Sequence, residues 1–276
     1  RAAPGSRRRL PTQTDRLQTM KQKVTVVKVG GKIIEAPDTL ETLLHRFSAL
    51  DGLKVLVHGG GRTATEVAAK LGVETHMVDG RRITDADMLR VVTMVYGGLV
   101  NKQVVARLQA CGVNALGLTG ADMNLIRSHR RPERNGVDFG FVGDVDTVDG
   151  ERLAQLLHSG VTPVVAPLTH DGEGHLLNTN GDTMAGEVAK ALARQFEVTL
   201  VYCFEHAGVL ADPDNEASVI PLITRRDFDA LKAQGVVTGG MLPKIENCLS
   251  AVGAGVRRVV ITRADALQEG CGTTIE

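Results

Sequence analysis

Residues 55–62, Val-Leu-Val-His-Gly-Gly-Gly-Arg, carry the strand-to-helix signature that decides the fold. The apolar run predicts a buried strand, and three glycines end it before a helix-forming segment that reaches Leu71. Glycine has no Cβ atom, so backbone N–H groups beside it can approach an anion closely. The start of the following helix adds unpaired N–H donors and partial positive charge. This stretch alone is consistent with an anion-binding loop or with a tight strand-to-helix turn.

The alternation of strand and helix continues outward from this stretch over most of the chain. Strands are predicted at 24–29, 54–57, 113–118, 161–166, 198–202 and 256–261. Helices are predicted at 38–50, 61–71, 85–111, 150–158, 182–194, 225–233 and 241–253. Repeated β-α-β units with β-branched, apolar strands predict an α/β fold with a mostly parallel central sheet covered by helices on both faces. Two hairpins are also predicted, a small one within 76–84 and a solvent-facing one from Phe139 to Val148.

Composition excludes several classes of function. Of the 276 residues, 43% are hydrophobic and 23% charged, which is ordinary for a globular protein, and the net charge is zero. Neither a general attraction to nucleic acid nor one to an anionic membrane is therefore indicated. No apolar run approaches the roughly 20 residues that a membrane span requires. The four cysteines are far apart and form no CxxC pair, so we expect reduced thiols and a cytoplasmic location.

The first 22 residues differ from the remainder. They contain five arginines, two prolines and a single acidic residue, Asp15, and so offer little to bury. We expect residues 1–22 to be a disordered basic tail, either an upstream extension or a remnant of cloning, although their composition also resembles a transit peptide. Residues 23–276 are expected to form a single domain.

Four segments with the residue types of an anion site end a strand or open a helix: 28–32, 59–61, 178–182 and 239–244. Lys28 lies in an otherwise apolar strand, where its charge is costly unless an anion or a carboxylate pairs with it. Lys244 falls in the first turn of a helix, where a cation opposes the helix dipole and an anionic ligand would compensate. His58 is the histidine beside a glycine loop, and we interpret it as structural.

The segment 178–182, Asn-Thr-Asn-Gly-Asp, has polar side chains at alternating positions. If the segment is extended, Asn178, Asn180 and Asp182 lie on one face and can grip a polar ligand. Neither GxxxxGK[ST] nor GxGxxG occurs in the sequence, so it lacks the motifs of P-loop and dinucleotide-binding proteins. Two lysines, two glycine loops and one aspartate fit phosphoryl transfer, which depends on positioning and charge neutralisation.

Together these segments resemble the amino-acid kinase family, and within it the members that phosphorylate acylated glutamate in arginine biosynthesis. The resemblance covers residues 23–276 and rests on 28–31, 57–61, 80–84, 178–182 and 239–244, in this order. It implies a three-layer αβα sandwich whose N-terminal half binds the acylated glutamate and whose C-terminal half binds ATP. The γ-carboxylate is expected to attack the γ-phosphorus of ATP. It is ionised near pH 7, so no general base is needed.

The resemblance also implies roles for individual residues. The expected catalytic residues are Lys28 and Lys244, which neutralise the transferring phosphoryl group, and Asp182, which holds both lysines. The expected acylglutamate-binding residues are Gly60, Gly61, Arg82 and Asn178, and the expected ATP phosphate-binding residues are Gly30, Gly31, Asn180, Gly239 and Gly240. Mg²⁺ is expected to arrive on the ATP phosphates, without a metal site in the protein.

Two departures from the family pattern affect the expectations. Where relatives carry a Thr/Ser-Asp turn after the strand at 198–202, this chain has Cys-Phe-Glu-His-Ala-Gly at 203–208, which leaves the adenine and ribose contacts open. The C-terminus is short and residues 1–22 do not resemble an assembly helix, so an arginine-insensitive homodimer is expected. The acyl group could be acetyl or a larger one such as succinyl. An inactive amino-acid sensor on the same fold is the alternative of a different class.

Overall fold

The structure is a computed structural model that describes residues 21–78, 80–212, 214–237, 241–267 and 272–276. In chain order its strands are β1 (Lys23–Val29), β2 (Leu53–His58), β3 (Met77–Val78), β4 (Arg81–Arg82), β5 (Ala115–Leu118), β6 (Ile126–Arg130), β7 (Gly143–Val148), β8 (Thr162–Val165), β9 (Leu168–His170), β10 (Leu176–Asn178), β11 (Glu197–Phe204), β12 (Leu222–Ile223), β13 (Arg258–Arg263) and β14 (Thr273–Ile275).

The helices are α1 (Gly31–Ile34), α2 (Pro37–Ser48), α3 (Gly61–Lys70), α4 (Ala86–Val92), α5 (Asn101–Ala110), α6 (Gly150–His158), α7 (Gly181–Ala193), α8 (Arg225–Ala233) and α9 (Met241–Gly253). A π-helical segment, Thr93–Val100, joins α4 to α5, so these three form the long helix predicted at 85–111. The Asp85 side chain caps it by accepting from the Met88 N–H. The helix predicted at 38–50 begins one residue earlier, because α2 starts at Pro37 after Ala36. Proline at the first helical position has the required φ and lacks an N–H that would be unpaired.

The main sheet has the strand order β12-β14-β13-β11-β1-β2-β8-β5. Its strands pair in parallel except for β13 with β14, which confirms the mostly parallel sheet predicted from the sequence. Side chains of β1 alternate between two hydrophobic clusters, with Val24 and Val26 in one and Val27 and Val29 in the other. The first cluster includes residues of α6, α7 and α9, and the second includes residues of α2, α3 and the long helix. Both faces of the sheet are therefore covered, as in a three-layer αβα sandwich.

A second, four-stranded sheet with the order β10-β9-β6-β7 is not anticipated by the sequence patterns. The prediction of a hairpin from Phe139 to Val148 is wrong. Its strand begins only at Gly143, and β7 pairs antiparallel with β6, which precedes it in the chain. Alternation of apolar and polar residues indicates a strand and its exposed face, yet it does not identify the partner strand. The small hairpin within 76–84 is present, as β3 pairs antiparallel with β4.

None of the helices in the described part of the chain has both the length and the apolar composition needed to cross a membrane.

Candidate active site

The residues singled out by sequence converge at the carboxyl end of the central parallel strands. Val29 of β1 lies beside His58 of β2 on one side and Cys203 of β11 on the other. The strands β1, β2 and β11 therefore end at the same edge of the sheet. The helices α1, α3 and α7 begin at this edge. In sheets of this type, ligands bind beyond the carboxyl ends of the strands. The sequence elements predicted to bind ligand accordingly meet at one edge of the sheet.

The glycine triplet is held against the end of β1. The Gly59 N–H donates to the Val29 carbonyl at 2.9 Å, and a Cβ atom at Gly59 would lie 3.2 Å from the Gly31 nitrogen. Gly60 has φ = +149°, in the region that favours glycine. This loop therefore needs glycine for its own folding, in addition to any role toward a ligand.

The N–H groups of Gly60 and Gly61 have no acceptor recorded among the described residues. Further along α3, the Thr63 N–H donates to Glu35 Oε1 at 2.9 Å and the Ala64 N–H donates to the Gly60 carbonyl. A Cβ atom added to Gly31 would lie 3.7 Å from the Gly60 nitrogen and 3.6 Å from the Gly61 nitrogen. The absence of a side chain at Gly31 thus leaves open the space in front of two free donors, which is the arrangement an anion requires.

Lys28 is paired with Asp182. Lys28 is two residues beyond Val26 on β1, so its side chain points to the same face of the sheet, which is the face that α7 covers. Its Nζ lies 2.6 Å from Asp182 Oδ1. The Lys28 side chain is only 10% exposed. A buried ammonium group needs such a partner, which is the explanation that the sequence suggested for a lysine in an apolar strand.

Lys244 lies in α9 and faces the same region from the opposite side. Its Nζ is 4.2 Å from the centroid of the Phe204 ring, whereas among the described residues it forms no ion pair, with Asp182 or with any other carboxylate. The expectation that Asp182 holds both lysines is therefore met for Lys28 only. Gly239 and Gly240, which precede α9 and are predicted to bind phosphate, lie outside the described residues.

Asn178 and Asn180 do not share one extended face with Asp182, so that part of the sequence interpretation is wrong. The segment turns into a helix at Gly181, and Asn180 becomes the cap of α7. Its Oδ1 accepts from the N–H groups of Asp182 at 2.9 Å and Thr183 at 3.0 Å. Asn178 is buried, and its Nδ2 donates to Thr84 Oγ1 at 3.0 Å. Asn180 fixes the position of Asp182, and Asn178 belongs to the neighbouring cavity.

That cavity, about 220 Å³, lies over the glycine triplet, and we call it the acceptor pocket. Arg82 reaches it from β4, with its guanidinium group donating to the Gly61 carbonyl at 2.7 Å and to Thr65 Oγ1 at 2.9 Å. The described residues that line the acceptor pocket include every predicted acylglutamate-binding residue, namely Gly60, Gly61, Arg82 and Asn178.

A second cavity of about 450 Å³, which we call the nucleotide pocket, adjoins the first. Lys28, Asp182 and Lys244 lie on its wall, and Gly31 borders both pockets. The junction of the two pockets therefore combines two ammonium groups, one carboxylate and the free N–H donors of the glycine loop. Such an arrangement stabilises negative charge that passes from one pocket to the other.

Several residues of the two pockets are missed by sequence reasoning. Arg81, Tyr96 and Arg131 line the acceptor pocket, and Phe204 lies on the nucleotide pocket. Arg131 is buried and forms a bidentate pair with Asp144, whose pKa it holds below the ordinary value through hydrogen bonding. Burial and the nearby Arg131 both lower the pKa of Arg81. These residues come from distant, polar stretches, and their one sequence signal is the Arg-Arg pair at 81–82.

His58 is a structural residue, as its sequence context suggested. It is fully buried, its Nδ1 donates to the Gly59 carbonyl at 2.7 Å, and its Nε2 accepts from Asn101 Nδ2 at 3.1 Å. The Asn101 amide can only donate here, which fixes the neutral tautomer with the proton on Nδ1. Burial lowers the pKa of His58 to about 4, and the hydrogen bond to Gly59 opposes this shift only in part.

This histidine predicts a pH dependence of stability. Because its folded-state pKa lies below the unfolded value of 6.5, its contribution is complete above pH 6.5 and is lost as the pH falls toward 4. The loss amounts to ~3 kcal/mol in the free energy of unfolding. Urea denaturation of the wild type and of His58→Gln between pH 7.5 and 4 measures it. The stability difference between the two proteins should shrink with decreasing pH, and a constant difference would contradict the assignment.

Comparison with known proteins gives a consistent set of relatives. The model of the amino acid kinase family matches residues 23–263. The acetylglutamate kinases of Phocaeicola vulgatus and Bacteroides thetaiotaomicron are each 63% identical over 257 residues, which is 93% of this chain and 100% of either relative. Among solved structures, N-acetylglutamate synthase from Neisseria gonorrhoeae, complexed with coenzyme A and N-acetyl-glutamate, is similar with a TM-score of 0.78. At 24% identity, covering 94% of this chain and 60% of that chain, this likeness shows the fold alone.

Proposed function

This chain belongs to the amino acid kinase family, and we propose that it transfers the γ-phosphoryl group of ATP to the γ-carboxylate of N-acetylglutamate in arginine biosynthesis. It is a phosphotransferase with a carboxylate as acceptor. The observation that carries the proposal is the junction of the acceptor and nucleotide pockets at Gly31, with Lys28 and Lys244 beside it. The identity of 63% to acetylglutamate kinases supports the choice of substrate.

In the proposed reaction an oxygen of the γ-carboxylate forms a bond to the γ-phosphorus of ATP. The bond from this phosphorus to the oxygen bridging to the β-phosphorus breaks, and ADP leaves with the bonding electrons. Negative charge develops on the phosphoryl oxygens and on the bridging oxygen. Lys28 and Lys244 neutralise this charge from the nucleotide pocket, while the Gly60 and Gly61 N–H groups bind the acceptor side. No proton has to be removed, because the carboxylate is already ionised near pH 7.

The acceptor pocket is proposed to orient the rest of the substrate. Arg82 is placed to attract the α-carboxylate, and the Asn178 amide is placed for the acyl-amide group. Arg82 also ties β4 to the glycine loop through the Gly61 carbonyl, so the binding of the α-carboxylate and the position of the loop are coupled. These residues belong to the N-terminal half of the domain, with Asn178 at its boundary.

ATP is proposed to occupy the nucleotide pocket, which the C-terminal half supplies together with the end of β1. Gly30 and Gly31 allow close approach of phosphate, and Asn180 acts by capping α7 and fixing Asp182. Asp182 lies on the wall of this pocket and is already paired with Lys28. These residues fit a nucleotide whose own phosphates bind Mg²⁺, and the ion would supply further neutralisation of phosphate charge there.

A second candidate substrate is an N-acylglutamate with a carboxylate on the acyl group, such as N-succinylglutamate. The specific observation in its favour is that Arg81, Arg82 and Arg131 line the acceptor pocket, while the described residues of that lining include no carboxylate. Arg131 is neutralised by Asp144, whereas Arg81 forms no ion pair with any described residue. If Arg82 binds the α-carboxylate, the Arg81 guanidinium group remains available for a second carboxylate on the acyl group.

A coupled assay of ADP release with glutamate, N-acetylglutamate and N-succinylglutamate tests both candidates. Turnover of N-acetylglutamate with little turnover of free glutamate is expected from the main proposal. Activity on free glutamate alone would reject it, and binding of acylglutamate without any ADP release would instead indicate an inactive sensor. For the second candidate, Arg81→Ala should reduce turnover of N-succinylglutamate more than turnover of N-acetylglutamate.

We also propose that the protein is a homodimer without arginine inhibition, and that it works in the cytoplasm, where its substrate ATP is present. The strand β5 is an outer strand of the main sheet, and Leu116 on it is 40% exposed. Met94 and Leu99, on the helix next to this edge, are likewise exposed. A second copy of the chain would bury these side chains.

Light scattering should give twice the chain mass of 29.4 kDa. A Leu116→Glu variant should be monomeric, and a hexamer or strong inhibition by arginine would overturn the proposal.

A further inference from the structure

The aromatic ring of Phe204 faces both lysines at the junction of the two pockets. Lys244 Nζ lies 4.2 Å and Lys28 Nζ 5.5 Å from the ring centroid, both within the range of cation–π attraction. Phe204 is the last residue of β11, in the segment where this chain departs from the family pattern. None of the steps of the proposed phosphoryl transfer involves Phe204.

The Phe204 ring is held in place by Tyr202, its neighbour on β11. Tyr202 and Phe204 are two residues apart on β11 and share a face of the sheet. Their rings are stacked, with centroids 6.0 Å apart and planes 13° from parallel. The Tyr202 hydroxyl donates to the backbone carbonyl of Asp182 at 3.0 Å. The same pair of aromatic residues thus contacts both lysines and the start of the helix that carries Asp182.

The charges at this junction are unevenly matched. Asp182 neutralises Lys28, while Lys244 has no carboxylate partner among the described residues. The two ammonium groups repel each other, and Lys244 has no ion pair with a described residue to offset this repulsion. The negative face of an aromatic ring attracts both groups without accepting a proton. It also leaves the ammonium donors available to a phosphoryl group, whereas a second carboxylate would compete for them.

We propose that Phe204 is a positioning residue, whose ring face holds the ammonium groups of Lys28 and Lys244 in the geometry needed to stabilise the transferred phosphoryl group. The inference rests on the proposed phosphoryl transfer. It predicts a role in the chemical step, because the two lysines act on charge that develops in the transition state. A ring that stacked on the adenine of ATP would instead contribute to nucleotide binding.

The variants Phe204→Leu and Phe204→Tyr separate these roles. Leucine preserves an apolar side chain and removes the π face, while tyrosine keeps the ring. Phe204→Leu should lower kcat roughly tenfold, the order expected for loss of a desolvated cation–π contact. KM for ATP, and the Kd of a non-hydrolysable ATP analogue from calorimetry, should stay within about threefold. Phe204→Tyr should retain most of the turnover, and thermal unfolding checks that both variants are folded.

A double-mutant cycle tests whether Phe204 acts through Lys244. In a Lys244→Met background, the further change Phe204→Leu should lower kcat by clearly less than it does in the wild type, since only Lys28 then remains to be positioned. Equal losses in both backgrounds would overturn the inference, and so would a raised KM for ATP with unchanged kcat in Phe204→Leu. If the wild type showed no ADP release with any acylglutamate, the proposed function would fail instead. The two failures are therefore distinguishable.

Discussion

Replacing Lys244 or Lys28 with alanine is expected to reduce kcat by ~100-fold or more, the effect typical of removing one donor to a developing charge. The two lysines reach the junction of the pockets from β1 and α9, on opposite sides of the nucleotide pocket. Each alone can neutralise only part of the charge on the transferred group. Because the lysines act mainly in the transition state, the change in kcat should exceed the change in KM for N-acetylglutamate. Steady-state kinetics of ADP release measures both values.

Two lysines elsewhere in the chain serve as matched controls. Lys232 contacts an aromatic ring as Lys244 does, with its Nζ 6.0 Å from the Phe228 centroid, and Lys190 is paired with Glu187 at 2.8 Å as Lys28 is with Asp182. Neither lies on the pockets. Lys232→Ala and Lys190→Ala should therefore keep kcat within about twofold of the wild type, as expected of surface changes. Near wild-type turnover in Lys28→Ala or Lys244→Ala would contradict the assignment of that lysine.

Thermal unfolding distinguishes loss of chemistry from loss of folding in these variants. Lys28→Ala leaves the partly buried Asp182 carboxylate without its partner, which is destabilising in addition to any kinetic effect. Lys244 forms no ion pair among the described residues and contacts the Phe204 ring, so its removal should cost less stability than the removal of Lys28. The two variants are thus expected to share a low kcat and to differ in melting temperature. A kinetic defect that followed the melting temperature would point to misfolding.

The predictable part of the fold and site depends on patterns that are local in sequence. The β-α alternation identifies the strands and helices of the main sheet because each buried strand needs a covering helix. A lysine in an apolar strand predicts a buried counter-charge, and the structure supplies it as Asp182. The glycine triplet and Gly31 come together because parallel neighbouring strands end at the same edge. In each case a local pattern and one topological rule are sufficient.

The remainder depends on partners that are distant in sequence. The sequence around Phe204 indicates only the end of an apolar strand, and its contact with two lysines follows from how α9 packs on the sheet. Arg131 lies in a polar stretch and is buried because Asp144 on the paired strand neutralises it. The strands β9 and β10 have three residues each, too few to show a period. Asn180 is misinterpreted for a different reason. Asparagine is common both as a helix cap and as a ligand contact, so the residue type alone does not distinguish the two roles.

The second large effect is expected at Gly31, where activity and stability should change in opposite directions. Its backbone is not in the region reserved for glycine, and a new Cβ would make only ordinary contacts, at 3.6 Å from the Gly61 nitrogen and 3.7 Å from the Gly60 nitrogen. Alanine is therefore compatible with the fold and should raise the free energy of unfolding by about 0.5 kcal/mol through the unfolded chain. The methyl group would, however, fill the space in front of the two N–H donors.

Gly31→Ala should consequently lower kcat/KM for N-acetylglutamate by ~100-fold or more, since access to two transition-state donors is lost at once. Gly253→Ala is the matched control, because it also replaces a glycine of a helix but meets nothing within 4 Å. It should leave kcat/KM unchanged. Kinetics and urea denaturation of the two variants test both halves of the expectation. An active Gly31→Ala enzyme would mean that the reacting groups do not approach the glycine loop, whereas an unfolded one would mean that the loop packs more tightly than these distances indicate.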